Sequence, residues 1–91
     1  MKLTIAAMKR RNAAQGEFWF SEGAMSFFNT KIESEPSEKG YFITSEYIDD
    51  PSKKRYTIRL FDQKTDKVET VGDFRKYDTL KEAIGDMQHV D

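Results

Sequence analysis

A chain of 91 residues has room for one small domain, here expected to span residues 1–91, with one hydrophobic core. Its 13% aromatic share argues against disorder, and the absence of cysteine excludes disulfides, thiolate catalysis and cysteine-based zinc sites, so a cytoplasmic protein is expected. The net charge is −1, but residues 17–52 hold eight acidic and two basic groups, whereas residues 53–77 hold eight basic and four acidic groups.

The first predicted helix covers Thr4–Gln15, where alanine, lysine and arginine are good helix formers and Gly16 follows as a C-terminal cap. Its apolar stripe is thin, so we expect a short or frayed helix, with residues 1–16 partly disordered. The apolar run Leu3–Met8 is too short for a signal peptide or a membrane span, so no membrane association is expected. An alternative left open is that Met8 is the physiological start, which would make the first seven residues dispensable.

A second short helix is predicted over Glu22–Asn29, with Ser21 as its N-cap residue. Ala24 and Phe28 lie four residues apart and share a face that would pack on a sheet. Phe20 precedes the cap, where an apolar side chain packs against the entry of a helix.

Four strands are predicted next. A weak edge strand begins at Lys31, and stronger strands cover Tyr41–Ile48, Arg55–Phe61 and Lys67–Val71, which are rich in β-branched and aromatic residues. The connections between them are short, so neighbouring strands are expected to pair in antiparallel fashion as a meander.

The third strand shows the clearest alternation in the chain. Tyr56, Ile58 and Leu60 share one face, which is therefore predicted to be the core face. The opposite face carries Arg55, Thr57 and Arg59 and is predicted to point toward solvent.

The last helix is predicted from a capping box in which Thr79 is followed three residues later by Glu82. Its apolar face is expected to contain Leu80, Ala83, Ile84 and Met87. The predicted fold class is therefore α+β: a short N-terminal helix or helices, a four-stranded antiparallel meander, and a C-terminal helix packed on the sheet.

No linear motif of an enzyme, a metal site or a cofactor site is found, so a non-enzymatic protein without metal or cofactor is predicted. The single histidine, His89, lies near the end of the chain, where a side chain is poorly held for catalysis. The adjacent pair Asp49 and Asp50 lies beside Pro51 and is typical of a turn. The acidic stretch from Asp62 to Glu69 contains lysines where calcium would need oxygen ligands.

Five aromatic residues near the N-terminus fit either the core or an exposed binding patch: Phe18, Trp19, Phe20, Phe27 and Phe28. The core interpretation is favoured because so small a domain has few other large apolar residues to bury. Trp19 is the candidate protein-binding residue, since an extended segment would turn it away from its two neighbours.

Basic residues on and around the third strand form a candidate nucleic-acid-binding surface that could contact phosphates. They are Lys53, Lys54, Arg55, Thr57, Arg59, Lys64 and Lys67, with the threonine between the two arginines. The alternative is an ordinary solvated sheet face, in which Glu46 and Glu69 neutralise the arginines from neighbouring strands.

Two resemblances add to this interpretation. Gly72-Asp73-Phe74 followed by Thr79-Leu80-Lys81-Glu82-Ala83 resembles the end of AP2-type and phage integrase arm-binding domains, in which a three-stranded sheet enters the major groove. That resemblance implies that Arg55, Thr57 and Arg59 would face DNA, although this chain has an insertion at residues 75–77 and no tryptophan in its strands. The chain as a whole is similar to small uncharacterised proteins of phages and prophages, which implies an accessory role.

The sequence therefore predicts a small binding module, an accessory protein of a phage or prophage that acts through a host or phage protein. The acidic block from Glu17 to Asp50 favours a basic protein surface over DNA as the partner. DNA binding through the sheet is the alternative function. The oligomeric state is left open by the sequence.

Overall fold

The computed structural model describes residues 3–26, 29–47 and 54–89, and their elements follow the predicted order. The helices are α1 (Ile5–Ala14), α2 (Glu22–Ser26) and α3 (Leu80–Met87), and the strands are β1 (Lys31–Ile32), β2 (Tyr41–Glu46), β3 (Arg55–Asp62) and β4 (Lys67–Val71). The strands form one antiparallel sheet in the order β1-β2-β3-β4. The predicted α+β class and meander are confirmed.

The predicted end of the second helix is wrong, and the predicted end of the second strand lies outside the described residues. The second helix was expected to reach Asn29, but α2 ends at Ser26 and Asn29 has a positive φ of 53°, so it does not continue a right-handed helix. The predicted Ser21 cap is confirmed by the Ala24 amide, which donates to Ser21 Oγ at 3.2 Å. Phe28 of the proposed packing face and the predicted strand end at Ile48 lie outside the described residues.

The sheet has two faces of different chemistry. Paired residues of antiparallel strands lie on the same face, and successive residues of a strand lie on opposite faces. The face that contains Ile43 and its partner Ile58 is called the helix face. The face that contains Phe42 and its partner Arg59 is called the network face.

The helix face is covered by α3. Ile43, Ile58, Tyr77 and Ala83 form its buried cluster, and Leu80 and Met87 pack against it. The Glu82 amide donates to Thr79 Oγ1 at 3.2 Å, which confirms the predicted N-cap of α3. The expected apolar stripe is wrong at one position, since Ile84 is 36% exposed and lies outside the packed cluster.

The network face is covered by the N-terminal part of the chain. Leu3 and Met8 join Phe42 and Phe61 in a second buried cluster, with α1 held by a hydrogen bond of 2.7 Å from Asn12 Nδ2 to the Asp66 carbonyl. The expectation of one core is therefore wrong, because buried clusters lie on both faces of the sheet. The partial disorder expected for residues 1–16 stays a prediction.

No helix within the described ranges is both long enough and apolar enough to cross a bilayer.

Candidate functional site

Two of the three residues predicted to face solvent on β3, Thr57 and Arg59, are buried, whereas the Arg55 side chain is 41% exposed. Thr57 has no exposed surface and Arg59 is only 8% exposed, whereas Leu60 on the predicted core face is half-buried. Alternation separates the two faces of a strand correctly, but it does not show which other segments cover each face.

A carboxylate lies at the centre of this buried polar region. Glu46 has no exposed surface, and its oxygens accept hydrogen bonds from Thr44 Oγ1 at 2.6 Å and from Thr57 Oγ1 at 2.8 Å. Arg59 Nη2 donates to the same carboxylate at 3.0 Å and forms an ion pair with it. The antiparallel register of β2 and β3 places all of these side chains on the network face. Each charge therefore has the partners that burial requires.

Arg59 connects the carboxylate to β4. Its Nε donates to Thr44 Oγ1 at 3.1 Å and its Nη1 donates to Thr70 Oγ1 at 2.5 Å. A guanidinium has five N–H donors, so the three hydrogen bonds of Arg59 leave two donors without a protein acceptor among the described residues.

Two aromatic rings hold the Arg59 guanidinium. Its central carbon lies 5.4 Å from the ring centroid of Trp19 and 5.4 Å from that of Phe74. Both distances are within the range of cation–π attraction. Phe74 reaches this position because the loop after β4 folds over the network face, where the Arg75 amide donates to Thr57 Oγ1 at 2.9 Å.

The space above Arg59 is an open pocket of about 490 Å³ between the sheet and α2. We call it the Arg59 pocket. Its lining is mostly apolar and consists of Trp19, Gly23, Ala24, Met25, Thr30, Arg59, Thr70 and Phe74. The pocket thus combines apolar walls with one cation whose position is fixed by hydrogen bonds.

Trp19 is both a wall of the pocket and a core residue. Its ring packs edge-on against Phe20 at 4.8 Å and against Phe42 at 6.0 Å between centroids. Trp19 was expected to point away from both Phe18 and Phe20, and this is wrong. Trp19 and Phe20 lie in a turn and both pack on the core, whereas Phe18 is 74% exposed. Phe27 and Phe28 lie outside the described residues.

The predicted basic surface is not brought together as one patch. Lys54 binds Glu33 at 3.1 Å and lies over Tyr56 on the helix face, while Arg59 is buried on the network face. Arg55 pairs with Asp78 at 2.9 Å.

The remaining basic candidates are at other places. Lys67 lies 3.6 Å from Glu17, Lys64 is exposed in the β3–β4 turn, and Lys53 lies outside the described residues. The cations are dispersed because alternation divides them between the faces and nearby acids pair with several of them.

The Lys54 ion pair is linked to a serine. The hydrogen bond of 2.7 Å from Ser45 Oγ to Glu33 lowers the pKa of the Glu33 carboxyl, and the Lys54 ammonium lowers it further. The hydrogen bond to Glu33 in turn raises the pKa of Lys54. This pair lies apart from the Arg59 pocket, so it stabilises the β1–β2 side of the sheet rather than the pocket.

Within the described ranges, no group of three metal-binding side chains occurs. Asp62 makes turn contacts, accepting from the Lys64 amide at 2.9 Å, and His89 is exposed just after α3. Asp49 and Asp50 lie outside the described residues.

A family model covers almost the whole of this architecture. The model of a family of unknown function (DUF7447) matches residues 4–88. The chain belongs to this family. The matched range runs from the N-cap of α1 through α3 and includes every residue that lines the Arg59 pocket. Comparisons with curated proteins and with solved structures gave no match.

The sequence indicated some residues of the buried polar network but not the pocket above them. The alternative in which Glu46 neutralises an arginine of the neighbouring strand is confirmed for Arg59, but the solvated face that it assumed is wrong at Thr57 and Arg59. Thr44, Thr70 and Phe74 were missed, although Thr44 and Glu46 share the face of Thr57 and Arg59 by simple alternation. The pocket itself has no linear signal, because its walls come from the turn at Trp19, α2, β3, β4 and the loop after β4.

Proposed function

We propose that this chain is a non-enzymatic binding module whose Arg59 pocket receives a large apolar side chain of a partner protein. The observation that carries the proposal is an apolar pocket of about 490 Å³ with a tryptophan wall and an arginine held in place at its base. Binding sites have this combination of concave apolar surface and a few fixed polar groups. Tryptophan and arginine are also the residues that most often dominate the energetics of protein interfaces.

The chemistry of the pocket favours binding over catalysis. The Glu46 carboxylate already accepts three hydrogen bonds and has no exposed surface, so it is poorly placed to take a proton from a substrate. Arg59 is neutralised by that carboxylate, which leaves the pocket without a strong net charge. An apolar group that excludes water therefore fits better than an anion.

The nature of the partner follows from the surrounding charge. Residues 17–52 carry eight acidic and two basic groups. Of these, Glu22 is exposed at the start of α2, next to Gly23 of the pocket lining, which favours a basic protein surface around the inserted side chain. DNA binding through β3 loses its proposed reading face, since Thr57 and Arg59 are buried. We retain the accessory role in a phage or prophage as part of the proposal, on the resemblance of the sequence alone.

The proposal can be tested with a random twelve-residue peptide library displayed on yeast and selected against the purified chain. Ala24 lies in the pocket lining on α2, so Ala24→Trp would fill the pocket without removing any of its polar contacts. Ala6→Trp is the matched control, because Ala6 is an exposed helical alanine outside the pocket lining.

Affinities of the selected peptides are then measured by fluorescence anisotropy. We expect Ala24→Trp to weaken binding at least about tenfold, which corresponds to about 1.4 kcal/mol, while Ala6→Trp binds like the wild type. Failure to enrich peptides, or equal affinities for the two tryptophan variants, would overturn the proposal.

A further inference from the structure

The sheet has two edge strands of unequal length. β1 contains two residues, whereas β4 contains five residues in unbroken register with β3. An exposed edge of this length is a template for another strand unless proline, a bulge or a covering segment blocks it. β4 contains no proline, and its register with β3 contains no bulge.

The hydrogen-bonding direction of β4 can be derived from its neighbour. Tyr56 of β3 exchanges two backbone hydrogen bonds with Tyr77, at 2.8 and 3.0 Å, so its backbone groups point toward the β4 side. By alternation the same holds for Ile58 and Leu60, whose partners on β4 are Val71 and Glu69. The backbone N–H and C=O groups of the intervening residues, Val68 and Thr70, therefore point outward from the sheet.

These outward groups have no backbone partner from another element in the described part of the chain. Thr70 and Glu69 are exposed, which agrees with an open edge. After β4, Gly72 has a φ of +74°, and the loop that follows turns onto the network face. In the described part of the chain, no backbone hydrogen bond joins this loop to Thr70.

The edge and the Arg59 pocket meet at Thr70. Thr70 lies on the network face as the partner of Arg59, its side chain lines the pocket, and its backbone faces outward. A residue paired directly opposite Thr70 would project its side chain on the same face, with the two Cβ atoms about 4.5–5.5 Å apart. That separation brings a large side chain within reach of the pocket.

We propose that an extended segment of the partner pairs with the outer edge of β4 and inserts the residue opposite Thr70 into the Arg59 pocket. This inference rests on the proposed function and specifies how the inserted side chain is delivered. Backbone hydrogen bonds to Val68 and Thr70 supply affinity that is independent of sequence, and the pocket selects the side chain.

The first test uses the tightest peptide from the twelve-residue library and a set of copies, each methylated on one backbone nitrogen. Strand pairing predicts a period of two: methylation weakens binding at every second residue of the paired segment, because only alternate N–H groups face β4. The sensitive set includes the residue whose side chain fills the pocket. Equal sensitivity at consecutive residues, or none, would overturn the inference.

The second test compares two substitutions at one position. Thr70→Val removes the hydroxyl that accepts from Arg59, whereas Thr70→Pro removes the hydroxyl and also the outward N–H. Proline is tolerated on an edge strand at such a position, so the sheet ladder with β3 is retained. We expect Thr70→Pro to bind the peptide at least about tenfold more weakly than Thr70→Val, as one lost interface hydrogen bond of about 1.4 kcal/mol requires.

A third readout needs no substitution. Bound peptide should slow amide hydrogen exchange of Val68 and Thr70 in the wild-type chain by about tenfold or more, because both amides become hydrogen-bonded. Unchanged exchange at these two amides with saturating peptide would contradict strand pairing.

These tests separate the two proposals. If Ala24→Trp abolishes binding but the methylation scan lacks a period of two, the pocket binds a side chain and the strand pairing is wrong. If Ala24→Trp has no effect, the proposed function itself fails, whatever the pattern of the scan.

Discussion

Both faces of the sheet contain buried residues, but these are held by different kinds of interaction. Around Ile43 and Ile58 the helix face is apolar and is covered by one capped helix, α3. The network face carries a buried ion pair and is covered by several short pieces of chain, including the turn at Trp19. Buried charges need partners in particular positions, whereas apolar burial is not directional.

The difference explains where a pocket can remain. An amphipathic helix covers an apolar face continuously, because its side chains fill the space above the sheet. On the network face the covering pieces are separate, and a gap persists above Arg59 between α2 and the loop after β4. The proposed binding site therefore lies on the network face, where the covering segments leave a gap.

The largest expected effect comes from breaking the buried ion pair. Glu46→Met keeps the size of the side chain but leaves the Arg59 charge buried without its carboxylate. We expect the free energy of unfolding to fall by about 3–5 kcal/mol, measured by urea denaturation.

The matched control for that variant removes both charges. The double variant Glu46→Met with Arg59→Met should be more stable than the single variant, since it no longer buries an uncompensated charge, although the Thr44 and Thr57 hydroxyls still lose their acceptor. If the single variant lost less than about 1 kcal/mol, Arg59 would have another route to solvent or a partner, and the contrast between the faces would not hold.

An effect of intermediate size is expected from pH on the helix face. Burial and the hydrogen bond of 2.8 Å to Asp86 raise the pKa of Tyr77 from 10.0 to about 12. The folded state thus holds this proton more tightly than the unfolded state, so the contribution to stability is complete below pH 10 and is lost as the pH rises toward about 12.

Tyr77→Phe provides the reference for this effect, because it has no phenolic proton. Between pH 10 and pH 12 the wild type should lose about 2 kcal/mol more of its free energy of unfolding than the variant. If urea titrations showed that the free energy of unfolding falls equally with pH in the two proteins, the pKa of Tyr77 would be the same in the folded and unfolded states.

The smallest expected effect concerns the helix caps on the two faces. Thr4 accepts from the Ala7 amide at 3.1 Å, and Thr79 accepts from the Glu82 amide at 3.2 Å. Thr4→Ala and Thr79→Ala should each lower the free energy of unfolding by about 1 kcal/mol if α1 and α3 both belong to the cooperative fold.

The cap at Thr4 also tests the predicted fraying of residues 1–16. A loss for Thr79→Ala without a loss for Thr4→Ala would mean that α1 unfolds separately and that the network face opens before the helix face. Serine at either position serves as the control, because it restores a hydroxyl acceptor at the N-cap.

Local patterns were sufficient for most of the elements. Alternation identified β3, and the capping box located the start of α3, because such signals depend on neighbours within four residues. The same rules failed for the end of α2, where Asn29 takes a positive φ of 53°, and for Ile84, which is 36% exposed. The Arg59 pocket belongs to this second group, since its walls join residues from Trp19 to Phe74.

The sequence by itself determined that this chain forms an antiparallel meander closed by a capped helix, and that one face of β3 carries Arg55, Thr57 and Arg59. Only the tertiary structure decided that Thr57 and Arg59 on this face are buried while Arg55 stays partly exposed. The reason is physical: periodicity records which side chains share a face, but burial depends on the segments that cover it. Here the N-terminal chain covers the polar face, and Glu46 at 3.0 Å compensates the charge of Arg59.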